Sequence, residues 1–527
     1  MELVVQVQDS PALSAALEAG AATVAVRLPR VPDPDWWAEA AAWQRQARQA
    51  GARFHLVWDI LVREPELSRA SETLAAADGT QPDALVLRDV GLAREARRRF
   101  PALPLHAAGS LGLLNSPALR LAADLGFSRA VLEAPITLKD LALLRRQSSL
   151  PLEVVLPPWR RGYSHLCLAE DYLENDCAWC GGSLEQWNLA DVLMESLEFL
   201  AGLCQLGVEA VRLKAERLAV QTLLRVLPLY QSVWEAPAAE RPRVLAAARQ
   251  LLAAFGPSLK SAQAKADAIP GEAPPKKSSR VRPSPPKPLP EVLRRVLWLE
   301  ARGYPEAAAL AKSWREPLLI QLTPENYAAF LPEHRRWQPR RIIWRLPPVL
   351  KESELSFYQK AMETLSQGGC RRLVAGDWGA VALARAAGAE VYGDQTLGIR
   401  NTWALEAARR LGVTRVCLPP GQPGGWQSWL TASPPGAFWA YLYQTPALAV
   451  CPRAAARPPA PPGWRWVAEG DYACLCRESP EHLEDAGIRL LRQGVAPLVV
   501  ALPRSGLPWG RPPVLEYPRA PRRRPGP

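Results

Sequence analysis

Residues 111–132, LGLLNSPALRLAADLGFSRAVL, return at 397–418 as LGIRNTWALEAARRLGVTRVCL, with ten of the twenty-two aligned residues identical. Leu and Ala matches arise between any two amphipathic helices, but Asn115/Asn401 and Gly126/Gly412 in register do not. The same offset of about 286 residues carries the apolar runs 53–58, 84–88, 152–156 and 210–214 onto 340–346, 371–376, 438–443 and 497–502. The chain is a duplication, so whatever the first half folds into, the second must approximate.

In the first half, short apolar runs at 3–7, 23–28, 53–58, 84–88, 103–106, 129–133, 152–156 and 210–214 alternate with Ala- and Leu-rich stretches of 3.6-residue period. Eight βα units in about 235 residues predict an α/β chain closed as a (β/α)8 TIM-like barrel. An open doubly wound sheet is the alternative, and it needs fewer strands and a switch point. We therefore expect a barrel over 1–240 carrying a cysteine-rich loop, a connecting helix at 241–256, and a second, shorter barrel-like α/β repeat over 291–504. Residues 257–290 are rich in Pro, Lys, Ser and Ala without apolar periodicity and read as a disordered basic linker. Residues 505–527 read as a basic Pro/Arg-rich tail.

The net charge of +12 would suggest nucleic acid. Its distribution qualifies that, because the linker carries seven basic and two acidic residues and the tail five and one. The folded parts are close to balanced, so the two segments either attract an anionic partner or keep the chain in solution. The amino terminus lacks the basic start and apolar core of a secretory signal, and no run is long enough to span a bilayer. These features predict a cytoplasmic protein, in which thiols stay reduced.

Reduced cysteines that cluster are suited to metal chemistry. Cys167, Cys177 and Cys180 fall within fourteen residues of YSHLCLAEDYLENDCAWC. The Cys177–Cys180 spacing lets two thiolates reach one centre, as in zinc and iron–sulfur sites, and is shared with redox-active pairs. Three unrelated buried thiols are the plain alternative. The segment lies between the seventh and eighth predicted strands, the longest connection of the first barrel, where such loops carry function. Strand eight ends in Lys214-Ala215-Glu216-Arg217. Lys214 and Arg217 suit a carboxylate or phosphate, and Glu216 suits a hydroxyl, an amine or the role of base. A salt-bridged start to the last helix would use the same residues. No HExxH, GxSxG or glycine-rich phosphate loop is present. His165 is a candidate mixed ligand, and Cys370 and Cys417, at strand positions, are expected core thiols.

The opening MELVVQVQDSPALSAALEAGAATVAVRL, the block DALVLRDVGLAREARRRFPALPLHAAGSLGLLNSPALRLAADLGFSRAVLEAPITLKDL, the YSHLC…CAWC element and GVEAVRLKAER together resemble the collagenase-like peptidase U-32 family. The resemblance covers about residues 1–235, and the second half is similar to the further region of longer members. It implies a 4Fe–4S cluster held by four cysteines. It also implies hydroxylation chemistry, on RNA bases or a small aromatic substrate, beside the peptidase (hydrolase) activity of the family's name. By position Cys167 matches the family's YSGRC-like cysteine, Cys177 and Cys180 the pair that follows, and Lys214, Glu216 and Arg217 the KIEGR-like element. Arg161 and Glu195 stand where many relatives have cysteines, and Ala215 stands where they have glycine. A fourth ligand would come from Cys204, His165 or a cysteine of the second half. The implied partners are RNA or an anionic small molecule, and a paralogue if the chain is a non-catalytic scaffold.

Overall fold

The computed structural model describes most of residues 2–501. The longer stretches outside the described residues are 157–165, 168–188, 267–296, 420–425, 453–463 and 502–527, and Arg217 is among the shorter ones. The calls on Cys177, Cys180, His165 and Arg217, and on the tail, therefore lie outside the described residues.

The first seven strands are β1 (Glu2–Val7), β2 (Thr23–Arg27), β3 (Arg53–Trp58), β4 (Ala84–Leu87), β5 (Leu105–Ala107), β6 (Arg129–Leu132) and β7 (Leu152–Val155). A two-residue strand β8 (Leu166–Cys167) follows, and β9 (Ala210–Lys214) completes the set. All but β8 pair in parallel and close in the order β1-β2-β3-β4-β5-β6-β7-β9. Each strand is buried over most of its length because helices cover the outer face and side chains fill the inside, which is why the runs read as continuous apolar stretches. Local signals start the helices. Asp9, Asp33, Asn115 and Thr137 adopt extended backbone, and each accepts a hydrogen bond from a first-turn amide.

The second half, expected as a shorter barrel-like repeat, closes into a barrel of its own. Its strands are β10 (Leu297–Ala301), β11 (Leu318–Gln321), β12 (Ile342–Arg345), β13 (Arg372–Ala375), β14 (Glu390–Gly393), β15 (Val413–Cys417) and β16 (Phe438–Gln444). An antiparallel excursion follows: β17 (Ala447–Pro452), β18 (Trp464–Glu469), β19 (Tyr472–Arg477) and β20 (Glu481–His482). The final strand, β21 (Leu498–Ala501), pairs with both β10 and β16, and β15 pairs with β16, so eight parallel strands close. The excursion stands between strands seven and eight, the same place as the cysteine-rich segment of the first barrel. A helix over Arg241–Ala266 leaves the first barrel and runs ten residues past its expected end at 256.

The two barrels meet through the loops that leave strands three, four and five of each. Helix Val90–Arg99 of the first packs on helix Thr402–Arg410 of the second, and helix Ser116–Asp124 packs on helix Trp378–Ala386. The approach is close enough that a Cβ on Gly91 would lie 2.3 Å from the backbone nitrogen of Ala404, and one on Gly379 would lie 1.9 Å from Asn115. Cys370 and Cys417 are buried core thiols, as expected.

Candidate active site at the mouth of the first barrel

The barrel interiors differ in kind. That of the second is filled by Trp298, Leu319, Ile343, Tyr392, Cys417, Trp439 and Tyr441. Above them Arg345 is locked between Glu300 and Asp394, and the Tyr441 hydroxyl donates to Glu300 at 2.8 Å. The first barrel has a thin apolar layer of Val4, Ala25, Val57, Val86, Val131, Val155 and Ala210 with polar groups on either side.

Toward the amino-terminal ends of the strands lies a charge-balanced network. Arg129 pairs with Glu2 at 2.9 Å and Glu153 at 3.2 Å, and Arg212 pairs with Glu153. The His55 and His106 rings meet edge to face at 5.1 Å. Burial above all pushes both imidazoles down; His106 and then the arginines add to this at His55, while at His106 Glu153 opposes it and the arginines add to it, leaving His106 at about 3. Burial pushes the Glu153 carboxyl up, but Arg212, His106 and Arg129 outweigh it and hold the carboxyl below its usual range. Ligand atoms of His55, His106 and Glu153 lie within 4.8 Å of one another, as a metal site would need. Both carboxylate oxygens of Glu153 already accept from arginines, and a divalent cation would face two guanidinium groups. This cluster is internal scaffolding.

At the carboxy-terminal ends the groups converge on the mouth, where barrels of this kind place chemistry. Arg212 Nη1 donates to Gln6 Oε1 at 2.9 Å, and Gln6 Nε2 donates in turn to Glu216 Oε1 at 2.8 Å. Lys214 Nζ donates to Glu133, which follows β6. Ser110, after β5, donates to Asp59, after β3. Burial alone would push the Lys214 ammonium down. Glu133, then Glu216, the hydrogen bond and Asp59 outweigh it and raise it, so Lys214 is a cation at neutral pH. A lysine held in this way stays protonated and does not serve as a nucleophile.

The structure places Lys214 and Glu216 together at the mouth, with Lys214 in the field of Glu133, Glu216 and Asp59. Glu133, Asp59, Ser110 and Gln6 were missed. Their signal was available, since in a β/α barrel a charged or polar residue at or just beyond the end of a predicted strand projects into the mouth.

Cys204 does not belong to this site. It is buried among leucines on helix Leu189–Leu206, and burial pushes its thiol up. Fifteen residues separate it from the start of that helix, about 22 Å at 1.5 Å per residue. The helix runs back toward the start of β9, so Cys204 sits at the far end of the barrel. The backbone of Cys167 is placed by a different element. Strand β8 adds to the excursion of the second barrel, with Cys167 opposite Ala449 and Leu166 opposite Val450. The resulting sheet runs β18-β19-β17-β8 and also carries Cys451, Cys474 and Cys476.

Residues 36–260 match peptidase family U32. Two proteins called tRNA hydroxylation protein P, from Haemophilus influenzae and Escherichia coli, are each 25% identical over 146 residues, covering 25% of this chain and 32% of the relative. The matched stretch thus spans about a third of the length of these relatives. Among solved structures, a thiamine phosphate pyrophosphorylase from Pyrococcus furiosus is 12% identical with a TM-score of 0.29, covering 47% of this chain and 96% of its own. A TrpF from Jonesia denitrificans is 16% identical with a TM-score of 0.28, covering 46% and 98%. Among the described residues no helix is long and apolar enough to cross a membrane.

Proposed function

Because the first barrel makes this chain a member of peptidase family U32, we propose that it is an iron–sulfur-dependent enzyme that hydroxylates an RNA base, with a transfer RNA as the favoured substrate. The observation that carries the reading is the mouth of the first barrel, where a protonated Lys214 stands among Glu133, Glu216 and Asp59; in sequence, Cys167, Cys177 and Cys180 fall in the connection between the barrel's seventh and eighth strands. The relatives named for tRNA hydroxylation support the substrate class.

Three thiolates in one loop have the donor chemistry of a 4Fe–4S centre, and such a centre supplies electrons one at a time. With Cys204 at the far end of the barrel, a fourth protein ligand would come from the sheet that β8 joins. The residues of the mouth have separate tasks. Lys214 binds a phosphate or carboxylate oxygen. Glu216, oriented by the Arg212–Gln6 relay, accepts a proton or hydrogen bond from a base N–H or a hydroxyl. Ser110 and Asp59 line the opposite side. The basic segments at 257–290 and 505–527 add attraction for a polyanion.

Among the described residues, no histidine stands at the mouth to serve a peptidase as base. His55 and His106 are sealed below the mouth and held neutral, and His334 is an exposed residue bonded to the Leu331 carbonyl. The test is mass spectrometry of transfer RNA from cells with and without the gene, together with iron and sulfide analysis of anaerobically purified protein. The expected result is a nucleoside one oxygen heavier that is lost on deletion, restored by the wild type, and not restored by Cys177→Ser. Unchanged RNA together with an iron-free protein would reject the reading.

A further inference from the structure

We propose that the second barrel is a partner subunit supplied in cis. It pairs with the first across a pseudo-two-fold, as a second copy of one protomer would, and it holds the Leu166–Cys167 strand of the first barrel on its own sheet.

The contact is reciprocal residue by residue. Asn115 caps helix Ser116–Asp124 by accepting from the Ala118 amide at 2.9 Å and donates Nδ2 to the Leu350 carbonyl of the other barrel at 2.8 Å. Its counterpart Asn401 caps helix Thr402–Arg410 by accepting from the Ala404 amide at 2.8 Å and donates to the Val62 carbonyl at 2.8 Å. Val62 and Leu350 are themselves counterparts. The amide of Ser116 reaches Glu352 at 2.6 Å and its hydroxyl reaches the same carboxylate at 3.0 Å. The amide of Thr402 reaches Glu64 at 2.6 Å and its hydroxyl reaches it at 3.0 Å. Glu64 and Glu352 are again counterparts. Asp89 and Asp377, equivalent helix caps, each accept from the amide of the residue whose carbonyl accepts from the opposing asparagine. Asn115 and Asn401 are fully buried.

Self-complementarity of this kind is what a two-fold imposes, because residue i meets j and j meets i. Two unrelated surfaces joined in tandem have no reason to repeat three bonds across the interface with matching lengths. The strand pairing obeys the same symmetry: β8 and β17 lie in the segments after strand seven of their barrels and run antiparallel.

The two halves have since diverged in chemistry. Where the first barrel has Lys214 on its eighth strand, β21 presents Val499 and Ala501 to an interior closed by tryptophan and tyrosine. Where it has Glu133 after strand six, the second has Pro419. The second barrel therefore contributes surface and a template strand, and the first barrel keeps the reactive mouth.

The experiment uses the full chain with a protease site placed within 267–296. After cutting, the wild-type halves are expected to elute as one particle with the mass of the intact 57.9 kDa chain at micromolar concentration. Asn115→Asp and Asn401→Asp each keep the capping oxygen but lose the donor and set a carboxylate against a carbonyl and an aspartate. Each is expected to weaken association about tenfold or more, and by similar factors. Ser116→Ala and Thr402→Ala, which remove one hydroxyl each, give smaller matched losses and serve if either asparagine variant misfolds by circular dichroism. Amide exchange at Leu166 and Cys167 should accelerate about tenfold or more when the halves separate. Wild-type halves that part at micromolar concentration, counterpart variants with unequal effects, or strand exchange indifferent to separation would each overturn the proposal.

Discussion

Lys214 and Arg212 are two residues apart on one strand and do different work. Lys214 sits where water and substrate reach it, among three acids. Lys214→Met should lower RNA hydroxylation about 10²-fold, the usual cost of removing one preorganised charge, while Lys214→Arg retains part of it. Quantitative nucleoside mass spectrometry checks both. Arg212 is sealed inside and satisfies Glu153 and Gln6. Arg212→Met leaves Glu153 buried with one cation fewer and should cost about 3–5 kcal/mol in urea unfolding. The histidines give the protein an acid limit. Each is neutral when folded and takes up a proton readily only when unfolded. The stability they leave intact above about pH 6.5 is lost as the pH falls toward about 3, where His106 would titrate in place. Unfolding midpoints that stay flat between pH 6.5 and 4 would contradict this. Asp59, Ser110 and Glu133 each follow a strand within a residue or three, so their place at the mouth was legible once the barrel was drawn. Their mutual distances were not, because those depend on strand tilt and on which residues turn inward.

Strands and helices were the most legible scale. The runs 53–58 and 210–214 coincide with β3 and β9 to the residue, because a strand buried on both faces is enriched in apolar and β-branched residues between polar turns, with His55, Arg212 and Lys214 among the polar exceptions. The excursion β17–β20 was not foreseen. It interrupts the alternation with antiparallel strands whose partners lie within the excursion and, for β8, in the other barrel. Helix Val90–Arg99 gives a clean test of how closely elements approach. Gly91→Ala in an isolated helix would stabilise by up to about 1 kcal/mol. Here the added methyl meets the backbone of Ala404 and has nowhere to go. We expect Gly91→Ala and Gly379→Ala to lower the melting temperature instead, by about 2 °C if each costs about 2 kcal/mol. A raised melting temperature for either would show that the interface yields.

At the scale of the molecule, two closed barrels share one buried polar interface, and neither can open those helix caps without stranding amides and carboxylates of the other. The chain should therefore melt in one calorimetric transition although it contains two cores. Two resolved transitions would mean the barrels are only tethered. The balanced charge of the folded parts confines electrostatic recruitment to the two basic segments, so removing 505–527 should weaken RNA binding and flatten its salt dependence without altering chemistry at the mouth.

Periodicity and duplication by themselves determined that this chain is two α/β barrels and that Lys214 and Glu216 end the eighth strand of the first, since burial dictates composition along the chain. Proximity across the chain is dictated by closure and docking, which leave no trace in local pattern. Only the tertiary structure decided that Lys214 answers to Glu133, that Cys204 lies at the wrong end, and that the strand bearing Cys167 rests on the other barrel.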